Sequence, residues 1–174
     1  MQRRKRTALI AVLSLLFAAV AGSVAAAKPG IMNMTTPLSG DEEVPAVDTN
    51  ATGVAIIKFD GDELTYKLNV ANIEDVLMAH IHMGAAGENG PVVAWLYPEG
   101  GPPPQLIPGR FQGTLATGTV TDADLVGPLE GMAVEDLLDD IRDGNAYVNV
   151  HTNANPAGEI RGQIPGDRGP GSHR

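Results

Sequence analysis

Between residues 38 and 164 apolar and polar positions alternate in short runs separated by Gly, Pro, Asn and Asp, the pattern of an antiparallel sandwich or barrel. The clearest run, Leu64-Thr65-Tyr66-Lys67-Leu68-Asn69-Val70, is apolar at every second position and predicts a strand with one face on a core and the other toward water. Residues 53–59 are rich in β-branched side chains, and Asp60-Gly61-Asp62 supplies the turn that makes the two runs a hairpin. Further strands are predicted over residues 77–82, 92–97, 111–116, 146–152 and 159–164, with a Gly/Pro-rich loop over 98–108. One helix is predicted over 134–142, where Leu137, Leu138 and Ile141 form an apolar patch and Gly144-Asn145 follows as a stop. It is expected to lie across an open end or edge of the sheet. The fold class is therefore all-β, an antiparallel Greek-key β-sandwich or barrel with one short helix.

Upstream the pattern changes. Arg3, Arg4, Lys5 and Arg6 precede an uncharged, Leu/Ala/Val-rich stretch ending in Ala25-Ala26-Ala27, the order of a cleavable secretory signal peptide over residues 1–27. Export places the mature chain outside the cytoplasm, in a periplasm, on a cell envelope or in the medium. The leader and composition have a bacterial character. Its removal leaves eight Lys and Arg against 21 Asp and Glu, a net charge of −13. So acidic a protein is a poor partner for nucleic acid or an anionic membrane surface. With no cysteine, an exported domain draws its stability from a core and not from disulfides. Residues 28–37 read as an N-terminal segment before the domain, and 166–174, which have no apolar residue but proline, as a disordered tail.

The chemistry concentrates on histidine. Ala79-His80-Ile81-His82-Met83 sets two imidazoles at i and i+2, hence on one face of a strand, with Ala79 and Ile81 on the other. In Tyr147-Val148-Asn149-Val150-His151 the valines take the core side, leaving Tyr147, Asn149 and His151 opposite. If these strands are neighbours, His80, His82 and His151 converge. Neutral imidazoles on a rigid sheet hold zinc or copper, and Met78, Met83, Met32 and Met34 offer soft sulfur for cuprous ion. The competing reading is structural: the histidines hydrogen-bond loop carbonyls and steady the Gly-rich connection 84–90. Nucleophilic and phosphate-loop chemistries lack their motifs. The acidic runs Asp41-Glu42-Glu43 and 135–140 read as solvated faces.

Four separated motifs carry a family resemblance: Leu38-Ser39-Gly40-Asp41-Glu42-Glu43-Val44-Pro45, Ala79-His80-Ile81-His82-Met83-Gly84, Asn89-Gly90-Pro91-Val92-Val93 and His151-Thr152-Asn153-Ala154-Asn155-Pro156-Ala157-Gly158-Glu159-Ile160-Arg161-Gly162-Gln163-Ile164. In this order they resemble the chordin-type (CHRD) domain, here spanning residues 38–165. The resemblance implies a β-sandwich, immunoglobulin-like or superoxide-dismutase-like, found in animal chordins, which bind growth factors, and in exported bacterial proteins. With no complete catalytic constellation in the sequence, a non-enzymatic binding or structural module is expected. Asn89, Gly90, Pro91, Glu159 and Arg161 then belong to a structural motif, with Arg161 expected to bond a carboxylate on an adjacent strand and so fix register. The histidine pattern also resembles, more loosely, the copper site of copper/zinc superoxide dismutases, without that family's zinc loop, fourth histidine or disulfide. A copper carrier or small copper enzyme, and a protein–protein interaction module, are the alternatives.

Overall fold

The computed structural model describes residues 31–61 and 63–167. The expected signal peptide and the tail from residue 168 onward lie outside the described residues. Seven strands follow in chain order: β1 (Met32–Ser39), β2 (Thr52–Phe59), β3 (Leu64–Met83), β4 (Val92–Tyr97), β5 (Ile107–Val120), β6 (Ala146–Thr152) and β7 (Ile160–Gln163). The helix α1 (Val134–Arg142) lies between β5 and β6. All pairings are antiparallel, and the circuit β1–β2–β3–β6–β7–β1 closes on itself. β4 and β5 extend β3 along its other edge.

Closure depends on β3, a 20-residue strand that pairs with β2 through its first half and with β6 through its second. The alternation in the sequence separates into two runs, 64–70 and 77–82, yet the backbone continues between them. It bends where Asn72 and Asp75 take positive φ of 57° and 52°, conformations that Asn and Asp tolerate best among residues with a side chain. Register shifts against β5 fall in the same stretch. Those irregular positions break the period-2 pattern, so one bent strand reads as two. β1 is a second difference. It pairs with β2 over its whole length, so residues 32–37 belong to the sheet and not to a lead-in segment. Thr36 and Pro37 interrupt its apolar alternation.

Inside the closed sheet, Leu38, Ile57, Phe59, Leu68, Ile81 and Val150 are fully buried. Each removes about 1.5–3 kcal/mol of apolar surface free energy from water. α1 follows the predicted bounds and buries Val134, Leu137, Leu138 and Ile141, packing against β6. Two aspartates accept at its start: Asp136 Oδ2 from the Ala133 amide at 3.0 Å and Asp122 Oδ1 from the Val134 amide at 2.7 Å. Among the described residues, no helix is long and apolar enough to cross a membrane.

Candidate metal centre

β6 is buried on both faces along its whole length, where the alternation in the sequence predicts one wet face. Val148 and Val150 face the apolar core, and the opposite face carries a second, polar interior. The ladder sets Trp95 of β4, His80 of β3, Asn149 of β6 and Arg161 of β7 side by side in one row. His82 and Tyr147 stand in the next row, and His151 lies across from Met78. The loops after β1, β3 and β6 fold over this face, supplying Glu43, Asn89 with Gly90, and Pro156 to its hydrogen bonds.

The predicted convergence occurs. One ring nitrogen from each of His80, His82 and His151 lies within 4.8 Å of the other two, and all three residues are under a tenth exposed. Their bonds fix the tautomers. His82 Nδ1 lies 2.9 Å from the Gly90 carbonyl and His151 Nδ1 3.2 Å from that of Pro156; a carbonyl only accepts, so both Nδ1 atoms carry the proton. His151 Nε2 is then a bare lone pair accepting from His80 Nδ1 at 3.0 Å. His80 Nε2 and His82 Nε2 are buried with no partner. Three buried lone pairs thus belong to the cluster, one of them occupied by a neighbour's proton.

Electrostatics keep the imidazoles neutral. Burial pushes His80 down to about 3, helped by the repulsion its cation would meet from His151 and His82. His151 is lowered to about 4 by burial and His82, against the bond to Pro156. His82 is lowered by burial, against the bond to Gly90 and with the nearby Arg161 charge. Neutral imidazole is the ligand form, so no proton has to leave a cationic ring at pH 7 before metal binds.

Arg161 flanks the site beyond Tyr147 and is 1 % exposed. The expected carboxylate partner is corrected: Arg161 Nη2 donates to the Ala85 carbonyl at 3.0 Å and Nη1 to Asn89 Oδ1 at 3.4 Å, while its guanidinium carbon lies 3.5 Å from the Tyr147 ring centre. Tyr147 stacks on its other side against His82, at 4.9 Å and 11°. Its hydroxyl accepts from the Gly90 amide at 3.0 Å. Glu159, one position before β7, accepts from Thr49 at 2.8 Å and Thr152 at 2.6 Å, tying two loops to the sheet. Asn89 bridges to the Val44 carbonyl at 2.6 Å, and the Pro91 carbonyl accepts from the Met83 amide at 3.0 Å.

At Gly90 any Cβ would lie 1.6 Å from the Met83 carbonyl oxygen, inside covalent range. Gly90→Ala is expected to displace the loop that holds His82 and to lower stability by ~2 kcal/mol or more, read as a shift of the urea midpoint.

Glu43 departs from its expected place on a solvated acidic face: Asp41 and Glu42 are exposed, but Glu43 is buried. Asn149 Nδ2 donates to its Oε2 at 3.4 Å, and its Oε1 has no partner. Burial raises its carboxyl to about 7, against the Asn149 bond and the Arg161 charge. A raised carboxyl favours folding below the unfolded value near 4.5, and that contribution is lost as pH climbs toward 7. Glu43→Gln is therefore expected to gain on the parent across this window, reaching ~1–2 kcal/mol at pH 7.5 in chelator-treated protein, measured by urea unfolding at each pH.

Of the methionines, Met34 is in the apolar core and the Met32 sulfur accepts from Arg142 of α1, so both are committed elsewhere. Met83 packs against the apolar core, which leaves Met78 as the methionine in register with the cluster. Trp95 has no sequence signature of its own, yet its ring meets His80 edge-on at 4.2 Å.

The CHRD domain family matches residues 34–164. Chordin of Xenopus laevis is 33 % identical over 140 residues, 75 % of this chain but 13 % of that protein. The chain thus spans about an eighth of its curated relative's length. No solved structure matches. With the family matching from the middle of β1 to the end of the closing strand, the chain belongs to the CHRD domain family.

Proposed function

We propose that this CHRD domain is an exported, non-enzymatic binding module that holds one divalent transition-metal ion, zinc or copper, on His80, His82 and His151. The observation that carries the reading is the set of three neutral, buried imidazoles, one ring nitrogen of each within 4.8 Å of the others, with His80 Nε2 and His82 Nε2 left unpartnered. Unpaired buried acceptors are costly, of order 1–3 kcal/mol each, and a cation removes that cost. The carbonyls of Gly90 and Pro156 act as outer partners, orienting two rings through Nδ1 as metal-bound histidines are usually oriented. An ion held here would take the His151 Nε2 lone pair that now accepts from His80, so that hydrogen bond would break while His80 stays neutral and keeps its proton on the ring nitrogen that does not bind the ion. Burial of the three rings favours retention of an ion over turnover of a substrate. The leader over residues 1–27 supports export.

Titration of the purified protein with zinc and with cupric ion, beside a His80→Ala/His82→Ala/His151→Ala variant, tests this. One equivalent bound by the parent and none by a variant with the parent's circular dichroism is expected. A parent that stays metal-free in excess zinc and copper contradicts the reading. Copper bound in preference to zinc, with redox turnover, would support the copper-enzyme alternative.

A further inference from the structure

Trp95, whose ring meets His80 of the histidine cluster, also lines an open cavity of about 320 Å³. Trp95 and Tyr66 wall it, and Glu99 and Asp124 are its charged residues, with no Lys or Arg among its lining. The Tyr66 hydroxyl donates to the Leu96 carbonyl at 2.9 Å, which fixes the ring and leaves its oxygen lone pairs available. Both carboxylates act on that hydroxyl, which burial and then the Glu99 and Asp124 charges hold up at about 12. The loop after β4 passes beside the indole and places no side chain against it at Gly101. Gly101 has φ of 88°, and a Cβ there would stand 3.8 Å from Trp95 Cγ, so any side chain would begin over the ring. Gly118 likewise admits Tyr66, since a Cβ would meet its hydroxyl at 2.8 Å.

An indole face, a fixed phenol and two carboxylates without a basic counter-charge complement one kind of ligand group. We propose that this cavity binds an organic cation, a quaternary ammonium or a guanidinium, stacked on Trp95 and balanced by Glu99 and Asp124. The ring quadrupole attracts the cation's face, and the carboxylates supply a field that a neutral ligand of the same shape does not feel. The cation belongs either to a free small molecule or to an arginine side chain of a partner protein.

Trp95 is the chain's single tryptophan and so reports on the cavity directly. The purified protein, kept in chelator so that metal at the histidines does not contribute, is titrated with choline, with its neutral isostere 3,3-dimethylbutanol and with arginine amide. Saturable fluorescence changes with at least one of the two cations and none with the alcohol are expected. Glu99→Gln is expected to weaken the cation at least ~3-fold; Asp124 also caps Thr121, so Glu99 is the cleaner variant. Tighter binding of a Gly-Arg-Gly peptide than of arginine amide assigns the cation to a partner's side chain; equal or weaker binding assigns it to a free small molecule. Equal response to choline and the alcohol, unchanged affinity in Glu99→Gln, a response to a neutral disaccharide alone, or no saturable response would overturn the proposal.

Discussion

Arg161→Ala is expected to lower the unfolding free energy by ~4 kcal/mol, the largest single effect in the domain. Two costs add. Removing the side chain empties a fully enclosed volume against the Tyr147 ring, and the surroundings relax into it only in part. It also leaves the Ala85 carbonyl and Asn89 Oδ1 without their donor beside a buried face. Part is returned, because a buried guanidinium without a close carboxylate is itself expensive. Arg161→Lys is expected to recover little, since an ammonium neither stacks flat on Tyr147 nor reaches two acceptors with a planar fork. Urea unfolding of both variants checks the size. A loss under ~1 kcal/mol for alanine would mean that the Arg161 contacts are dispensable.

Acid is expected to destabilise the metal-free domain as pH falls below about 6.5. His80 and His151 stay neutral in the fold down to about 3 and about 4, whereas unfolded histidine takes up its proton near 6.5. A lowered folded value makes stability constant above 6.5 and steadily lost below it, because only the unfolded chain gains protons there. By pH 5 each of the two histidines removes ~2 kcal/mol relative to pH 7. Glu43 works in the opposite direction over the same window, so the net loss is expected to be ~2 kcal/mol in the parent and larger in Glu43→Gln. Urea midpoints at pH 7 and pH 5, both in chelator, measure it. Equal or greater stability at pH 5 would show that the rings are not held neutral. Bound metal should steepen the acid loss, since protons then compete for the ligand atoms.

Much of this arrangement is legible in the residues. β-Branched composition and an Asp-Gly turn give β2, period-2 alternation gives the first half of β3 and β6, and the i, i+2 spacing of His80 and His82 places both on one face. Apolar spacing with a Gly-Asn stop gives α1. The convergence on His151 depends on β6 lying beside the second half of β3, a long-range pairing that alternation does not encode. The bend in β3 hides for a related reason: Asn72 and Asp75 in left-handed conformations look like loop residues, and the sheet's continuity comes from β5 alongside. Glu43 is hardest to foresee, because its neighbours Asp41 and Glu42 are exposed and only the fold of the loop after β1 carries it inward. The same holds for Arg161. Its place on β7 follows from the alternation, but its partners are a distant carbonyl and a ring on the next strand.

The claim that His80, His82 and His151 present one set of lone pairs to a cation is tested most directly by nitrogen NMR of the imidazoles, metal-free and with one equivalent of zinc at pH 7. Without metal, all three rings are predicted to be neutral, with His82 and His151 carrying the proton on Nδ1. With zinc, one nitrogen of each ring is predicted to shift together at a single equivalent, the Nε2 atom in His82 and His151. Rings that are cationic without metal, or that leave their nitrogen shifts unchanged when zinc is added, would contradict the account.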